Sequence, residues 1–548
     1  MAGQNYAESN TGAPVLHDSV VSGCGFAALC SLLLPCPWLP FFLLPHFTKR
    51  EIELATNAEA RHSWPVKPVS RLLCWLRPAI LLGAGALTVA TARAADYAIV
   101  VSRATQADRN WHRVVEVLRE KHQGAVIVFD ASVEEALPRL RELFPRYACF
   151  VARPGEVSRR FVAQVHRLTC KLNDDPYPDC FWGILTGYDA ANVLRLAEHQ
   201  EPLTVRKVVA GTEIPLDMCE EGQWYSELDA GHWTRKEKGG EAKALTGTID
   251  TTEALVKALT EYQADLFIAS GHATERDWQI GYRYRNGQFR CENGVLYGLD
   301  TQGKRLPIYS PNPKLYLPIG NCLMGHIDST NAMALAFLNS GGVNQMVGYT
   351  VTTWYGYAGW GCLDYFVEQP GRYTLAEAFR ANQIALINRL QAYFPGLASE
   401  ELDDKGQTQS PIHITEAARA AGLNAEDARG LLYDRDTLAF YGDPAWAARM
   451  ADRPKAWNQT LTETNGTWTF QITPNSGERT FKPVNLNGSQ RGGRPIIQFL
   501  PSRLKDARVI EGADLNPVIT DSFILVPIPR ECDPARNYRI VFRAQTRP

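Results

Sequence analysis

The chain carries almost no net charge. Its 57 Lys and Arg residues stand against 59 Asp and Glu, a formal balance of -2, so nothing draws it from a distance toward nucleic acid or an anionic membrane surface. Nucleic acid is excluded as a partner on that ground. The sequence also lacks a CxxC pair and any Cys/His spacing of zinc-site type, and it has no solenoid-type repeat. Long polar tracts are missing too. With 45% hydrophobic and 21% charged residues among 548, the chain is a folded protein too long for one ordinary core, and two or more globular units are expected.

Uninterrupted apolar runs are scarce near the N-terminus. Residues 24–47 include Leu32-Leu33-Leu34 and Phe41-Phe42-Leu43-Leu44, but Pro35, Pro37, Pro40 and Pro45 break them. A membrane helix tolerates proline only where the freed carbonyls find partners. A second stretch is better formed. Lys67, Arg71 and Arg77 flank an apolar run over 78–90, and Ala92-Arg93-Ala94 places small residues where a signal peptidase reads them. Residues 66–94 therefore read as a signal peptide, and the mature chain is expected to be exported, periplasmic or secreted. Residues 1–65 then read as a non-native or disordered leader, with the true start at Val66 or Val69. A membrane anchor through the first stretch is the alternative. Of the twelve cysteines, Cys24, Cys30, Cys36 and Cys74 lie in this region; most others read as small buried apolar side chains.

What the sequence does have, from Asp96 onward, is strand–helix alternation. Tyr97-Ala98-Ile99-Val100-Val101 is a short apolar run suited to a doubly covered parallel strand. Trp111, Val114, Val115 and Leu118 recur at helical spacing, with Gly124 closing the helix. Residues 126–129 form the next strand, and Ser132 with Glu135 makes a capping box. Strands over 148–152 and 181–185 alternate with helices lined by Val165 and Leu168 and by Val193. The pattern implies a mostly parallel sheet with helices on both faces. Residues 211–247 read as a polar linker loop. Alternation then resumes with a strand over 266–269, a β-hairpin turning at Asn286-Gly287, a strand over 315–319, a helix over 332–338, a strand over 343–351 and a long helix over 375–390.

Two residues stand out chemically. His272 and Cys322 each follow a buried strand immediately, with Gly271, Gly320 and Gly325 beside them. Loops at the carboxyl ends of neighbouring parallel strands converge on one crevice. An imidazole there raises the thiolate fraction of a thiol and later protonates a leaving amine. The backbone N–H groups of Cys322 and Ala273 suit an oxyanion. His precedes Cys by fifty positions, the caspase order. His326, four residues past Cys322 on an expected helix, is the rival base. A metal set of Asp277, His326 and Asp328 can be drawn, but nothing fixes its spacing, and no metal is expected.

Ser270-Gly271-His272-Ala273 and Gly320-Asn321-Cys322-Leu323-Met324-Gly325 resemble the His and Cys motifs of the gingipain-type peptidases, within the caspase-like clan. Asp175-Pro176-Tyr177 leading to Gly183-Ile184-Leu185, Gly348-Tyr349-Thr350 to Trp354, and Tyr441-Gly442-Asp443-Pro444 are similar to further family segments. The resemblance spans 97–450. It implies a caspase-like fold and a cysteine endopeptidase acting on protein or peptide substrates through an acyl-enzyme, with Trp354 on a substrate-pocket wall. Calcium is implied as possible by the resemblance alone; no cofactor is otherwise called for. Ala273 departs from the glycine of many clan members. The group orienting His272 is open between Glu275 and an acid of the 211–229 segment.

The chain thus divides into an α/β N-terminal half (95–210), the linker (211–247), a catalytic half (248–450) and a small immunoglobulin-like β-sandwich (456–548). Two other readings use the same crevice: a non-catalytic caspase-like module binding peptides or partners, and a hydrolase of non-peptide esters or amides.

Overall fold

A computed structural model describes residues 96–402, 408, 410–488 and 490–547. The leader, the signal segment and the anchor alternative lie outside the described residues. Among the described residues no helix is long and apolar enough to cross a membrane.

A twelve-stranded sheet organises the chain. Its strands are β1 (Tyr97–Ser102), β2 (Ala125–Phe129), β3 (Tyr147–Val151), β4 (Phe181–Leu185), β5 (Lys207–Ala210), β6 (Glu221–Tyr225), β7 (His232–Lys236), β8 (Lys243–Thr246), β9 (Leu266–Ala269), β10 (Lys314–Pro318), β11 (Val343–Tyr349) and β12 (Leu438–Tyr441). The spatial order is β2-β1-β3-β4-β12-β11-β10-β9-β5-β6-β7-β8. The first four strands and β12 run parallel. At β12–β11 the direction reverses, and β11, β10, β9, β5 and β6 are again parallel. The central strands β9, β10 and β11 are buried at every residue, because both their faces are covered.

The residues after Trp457 fold as two antiparallel sheets of four and three strands, around an apolar cluster that includes Trp468, Phe470, Ile524 and Phe542. Ile497, Phe499, Phe523 and Leu525 from the same strands join the main core instead. The expected class, a mostly parallel α/β sheet with helices followed by a small all-β sandwich, is the one the chain adopts.

Several local expectations change. Segment 211–247 is not a loop: it supplies β6, β7 and β8, with β7 and β8 pairing antiparallel at the sheet edge. The helix Arg109–His122 is closed by Gln123, which takes the left-handed conformation expected of Gly124. The Ser132/Glu135 capping box is present, but it opens a short 3-10 turn before the helix Leu137–Leu143. The hairpin turns at Asn293-Gly294, both at positive φ, between Gln288–Glu292 and Val295–Leu299. Asn286 accepts a hydrogen bond from the N–H of Thr251, 3.0 Å away, and so fixes the start of the helix Thr252–Thr260.

Candidate active site

Strands β9 and β10 are parallel neighbours with Ala269 opposite Pro318. His272 follows β9 by three residues and Cys322 follows β10 by four, so both loops leave the same edge. Below them Phe267 makes the base rigid, with ring centroids 5.5 Å from Tyr316, 5.7 Å from Trp278 and 6.0 Å from Phe289. The loops are also tied directly: buried Asn321 donates from Nδ2 to the carbonyl of Gly271 at 3.1 Å. Gly271 turns with φ +98°, a conformation that favours glycine, and delivers His272 to the exposed surface. The His272 ring stacks on Tyr282 at 4.7 Å.

Cys322 is half-buried and opens a turn, Cys322–Gly325, not a helix. The first helix beyond it is Met333–Asn339. This corrects the placement of His326, whose N–H closes the turn onto the Leu323 carbonyl at 2.9 Å. Leu323 sits at φ +56°, a strained conformation for a leucine, costing about 1 kcal/mol or more. Three contacts hold it there. Leu323 donates to Val351 at 3.0 Å, Gly325 donates to Tyr349 at 2.8 Å, and the Tyr441 hydroxyl donates to the Gly325 carbonyl at 2.6 Å. Gly325 has no room for a side chain: a Cβ would lie 2.2 Å from the carbonyl oxygen of Gly348.

The loop after β11 folds over the sulfur. The N–H of Thr353 donates to Cys322 Sγ at 3.3 Å, and its hydroxyl donates to the Asn321 carbonyl at 3.1 Å. An N–H aimed at sulfur favours negative charge there. Trp354, next along, is 59% exposed, open to a ligand beside the thiol. Ala273 pairs with Trp278 in an isolated antiparallel bridge, which fixes its backbone at the rim.

No protein-family model matches the chain, and no curated protein does. Among solved structures, the complex of Porphyromonas gingivalis RgpB pro- and mature domains is similar at 10% identity, with a TM-score of 0.38, covering 79% of this chain and 93% of that one. At that level the likeness carries no argument about chemistry, which rests on this chain's own geometry.

Glu227, from the 211–229 segment, approaches the His272 loop at Gly271. A Cβ built on Gly271 would lie 3.4 Å from its Oε2. The backbone carbonyl of Glu227 accepts N–H bonds from Tyr282 at 2.6 Å and Arg283 at 3.1 Å, which sets the tyrosine under the imidazole. Thr212 donates to Oε1 at 2.7 Å. Burial, helped by the charge of Glu213, pushes the Glu227 carboxyl up to about 7, against the hydrogen bonds of Thr212 and Ser270. Glu275 is anchored by its backbone, whose carbonyl accepts from the N–H of Met333 at 2.8 Å.

The drawn Asp277, His326 and Asp328 set loses Asp328 to Arg276, at 2.6 Å. Among the described residues the acids close enough together for a metal are Asp175, Asp179 and Asp521, where the charges of Arg380 and Arg503 already act. Glu227, Thr353 and Tyr282 had no individual signal in the sequence. Each gains its place from long-range pairing.

Proposed function

We propose that this chain is an exported cysteine endopeptidase in which Cys322 is the nucleophile and His272 the base. The observation that carries the reading is the pairing of β9 with β10 and the Asn321–Gly271 bond, which set the two loops side by side. His272 takes the thiol proton, and the thiolate attacks the scissile carbonyl carbon. The backbone N–H groups of Cys322 and Ala273 stabilise the resulting oxyanion. As the tetrahedral adduct collapses, the C–N bond breaks and imidazolium protonates the leaving amine. Water, deprotonated by the same imidazole, then hydrolyses the thioester and restores the thiol. Glu227 is the acid best placed to steady His272 through the Gly271 turn. Export rests on the signal-type segment at 66–94.

The test is Cys322→Ala assayed on a peptide library, together with a thiol-directed peptidyl probe. Turnover lost in the variant and specific labelling of Cys322 support the reading. Undiminished turnover by Cys322→Ala overturns it, and absence of labelling across many peptide types favours a non-catalytic peptide-binding module.

A further inference from the structure

A loop of the C-terminal sandwich reaches back to the candidate active site. It joins the strands Thr467–Pro474 and Ile496–Phe499, and it is clamped to the helix Tyr357–Phe366 by buried ion pairs. Arg491, its side chain 2% exposed, binds Asp364 at 2.7 Å and also pairs with Glu368. Arg494 binds the second oxygen of Asp364 at 2.7 Å. The Arg491 guanidinium lies 5.1 Å from the Trp360 ring centre, and its Nη1 donates to the Asn487 carbonyl at 2.6 Å. Two charged groups desolvated on each side make a rigid attachment, since removing one partner strands the others.

The clamp delivers Asn487. Its Nδ2 donates to the Thr212 hydroxyl at 3.0 Å and to Glu213 Oε2 at 3.0 Å. Asn485 donates to the Glu213 carbonyl at 3.3 Å. Thr212, fully buried, passes the interaction on by donating to Glu227 Oε1 at 2.7 Å. A hydroxyl that accepts one hydrogen bond is a stronger donor of its own. Asn487 therefore fixes the direction of the Thr212 proton and secures the Glu213 carboxylate, which Ser226 also binds.

We infer that Asn487 is a positioning residue of the active site, holding the Glu227 carboxylate beneath Gly271 and His272 through Thr212, so that the sandwich completes the catalytic apparatus. The inference rests on the peptidase reading and adds a function for the second domain. The groups facing Glu227 are Thr212 and Glu213 on one side, Ser270 and the Gly271–His272 turn on another, and Tyr284 from the hairpin loop.

The experiment measures the alkylation rate of Cys322 by iodoacetamide from pH 5 to 9, with kcat and KM on one peptide. The full-length variants are Asn487→Ala, Thr212→Val, Thr212→Ser, Cys322→Ala and Leu486→Ser; Leu486 is 76% exposed in the same loop. Asn487→Ala and Thr212→Val should slow alkylation and lower kcat about tenfold, the loss expected for one buried hydrogen bond, and should move the midpoint of the pH profile at constant KM. Thr212→Ser should restore both, and Leu486→Ser should match the parent. If Asn487→Ala folds poorly, the Thr212 pair decides, because valine keeps the shape and serine keeps the hydroxyl. A parent-like rate and pH midpoint in Thr212→Val, with Cys322→Ala inactive, refutes the positioning role while leaving the dyad standing. Full turnover by Cys322→Ala removes the dyad and the inference with it.

Discussion

Asn321 spans two loops that are fifty residues apart in the chain, donating from its side chain to the Gly271 carbonyl at 3.1 Å while its own carbonyl accepts from the Thr353 hydroxyl at 3.1 Å. It thereby joins the candidate base, the candidate nucleophile and the covering loop.

Asn321→Leu keeps the branched shape and removes the donor, leaving a buried carbonyl unpaired. Stability should drop by about 1–3 kcal/mol, read from urea unfolding. Turnover should fall further than the folded fraction does, because the two loops lose their common reference. A variant that is less stable yet has parental kcat would show that the loops keep their alignment without this bond.

Gly325 and Gly348 touch backbone to backbone, so the turn bearing Cys322 lies directly on β11. Gly325→Ala forces them apart and should cost about 1–3 kcal/mol or more, with the thiol displaced. The control is Gly155→Ala, whose new methyl meets nothing within 4 Å. Thermal midpoints and iodoacetamide labelling of both variants check this; equal behaviour would mean the turn can move without consequence.

Much of this arrangement was legible because doubly covered parallel strands are continuous apolar runs. Leu266-Phe267-Ile268-Ala269 and Leu315-Tyr316-Leu317 announce themselves, and His272 and Cys322 are conspicuous as polar residues just beyond them. The edge strands were not legible. Glu221-Gly222-Gln223-Trp224-Tyr225 and 232–236 are only partly buried and 243–246 is exposed at every residue, and the Gly-Gly and charged residues of the segment look like loop. Of the two Asn-Gly pairs between β9 and β10, local chemistry could not tell that Asn293-Gly294 turns the hairpin while Asn286 accepts from the N–H of Thr251 at a helix start. Glu227 and Asn487 are likewise invisible locally: one acid among several in its segment is buried, and one asparagine in a distant domain meets it through Thr212.

Two buried aspartates should give the stability–pH curve opposite slopes. Burial raises the Asp443 carboxyl, but the hydrogen bond and charge of His122, at 2.8 Å, and the charge of Lys121, at 3.1 Å, hold it well below the usual carboxylate range. Its contribution is complete above about pH 4 and is lost as the pH falls toward the folded value. Asp179 goes the other way: burial first, then the charge of Asp175, pushes it up to about 7. The folded state there prefers the proton, so stability declines as pH rises from about 4 to about 7. Asp443→Asn should be less stable at neutral pH by about 3–5 kcal/mol and should flatten the acid limb. Asp179→Asn should flatten the rise-to-neutral limb. Urea midpoints at pH 3, 5 and 8 separate the two, and unchanged slopes would contradict both assignments.

Trp354 tests the pocket independently of the dyad. The residue is 59% exposed, while its neighbour Thr353 is bonded to both Cys322 Sγ and the Asn321 carbonyl. An indole so exposed contributes little to folding, and Trp354→Ala should leave stability within about 0.5 kcal/mol. As a pocket wall it would bury most of its ring against substrate, worth about 1.5–3 kcal/mol, so KM should rise at least about tenfold with kcat nearly unchanged. Michaelis curves on one peptide, with a melting curve alongside, decide the matter. Unaltered KM with unaltered melting would take Trp354 out of the pocket and leave it an ordinary surface aromatic; a drop in melting temperature with unaltered KM would make it part of the fold.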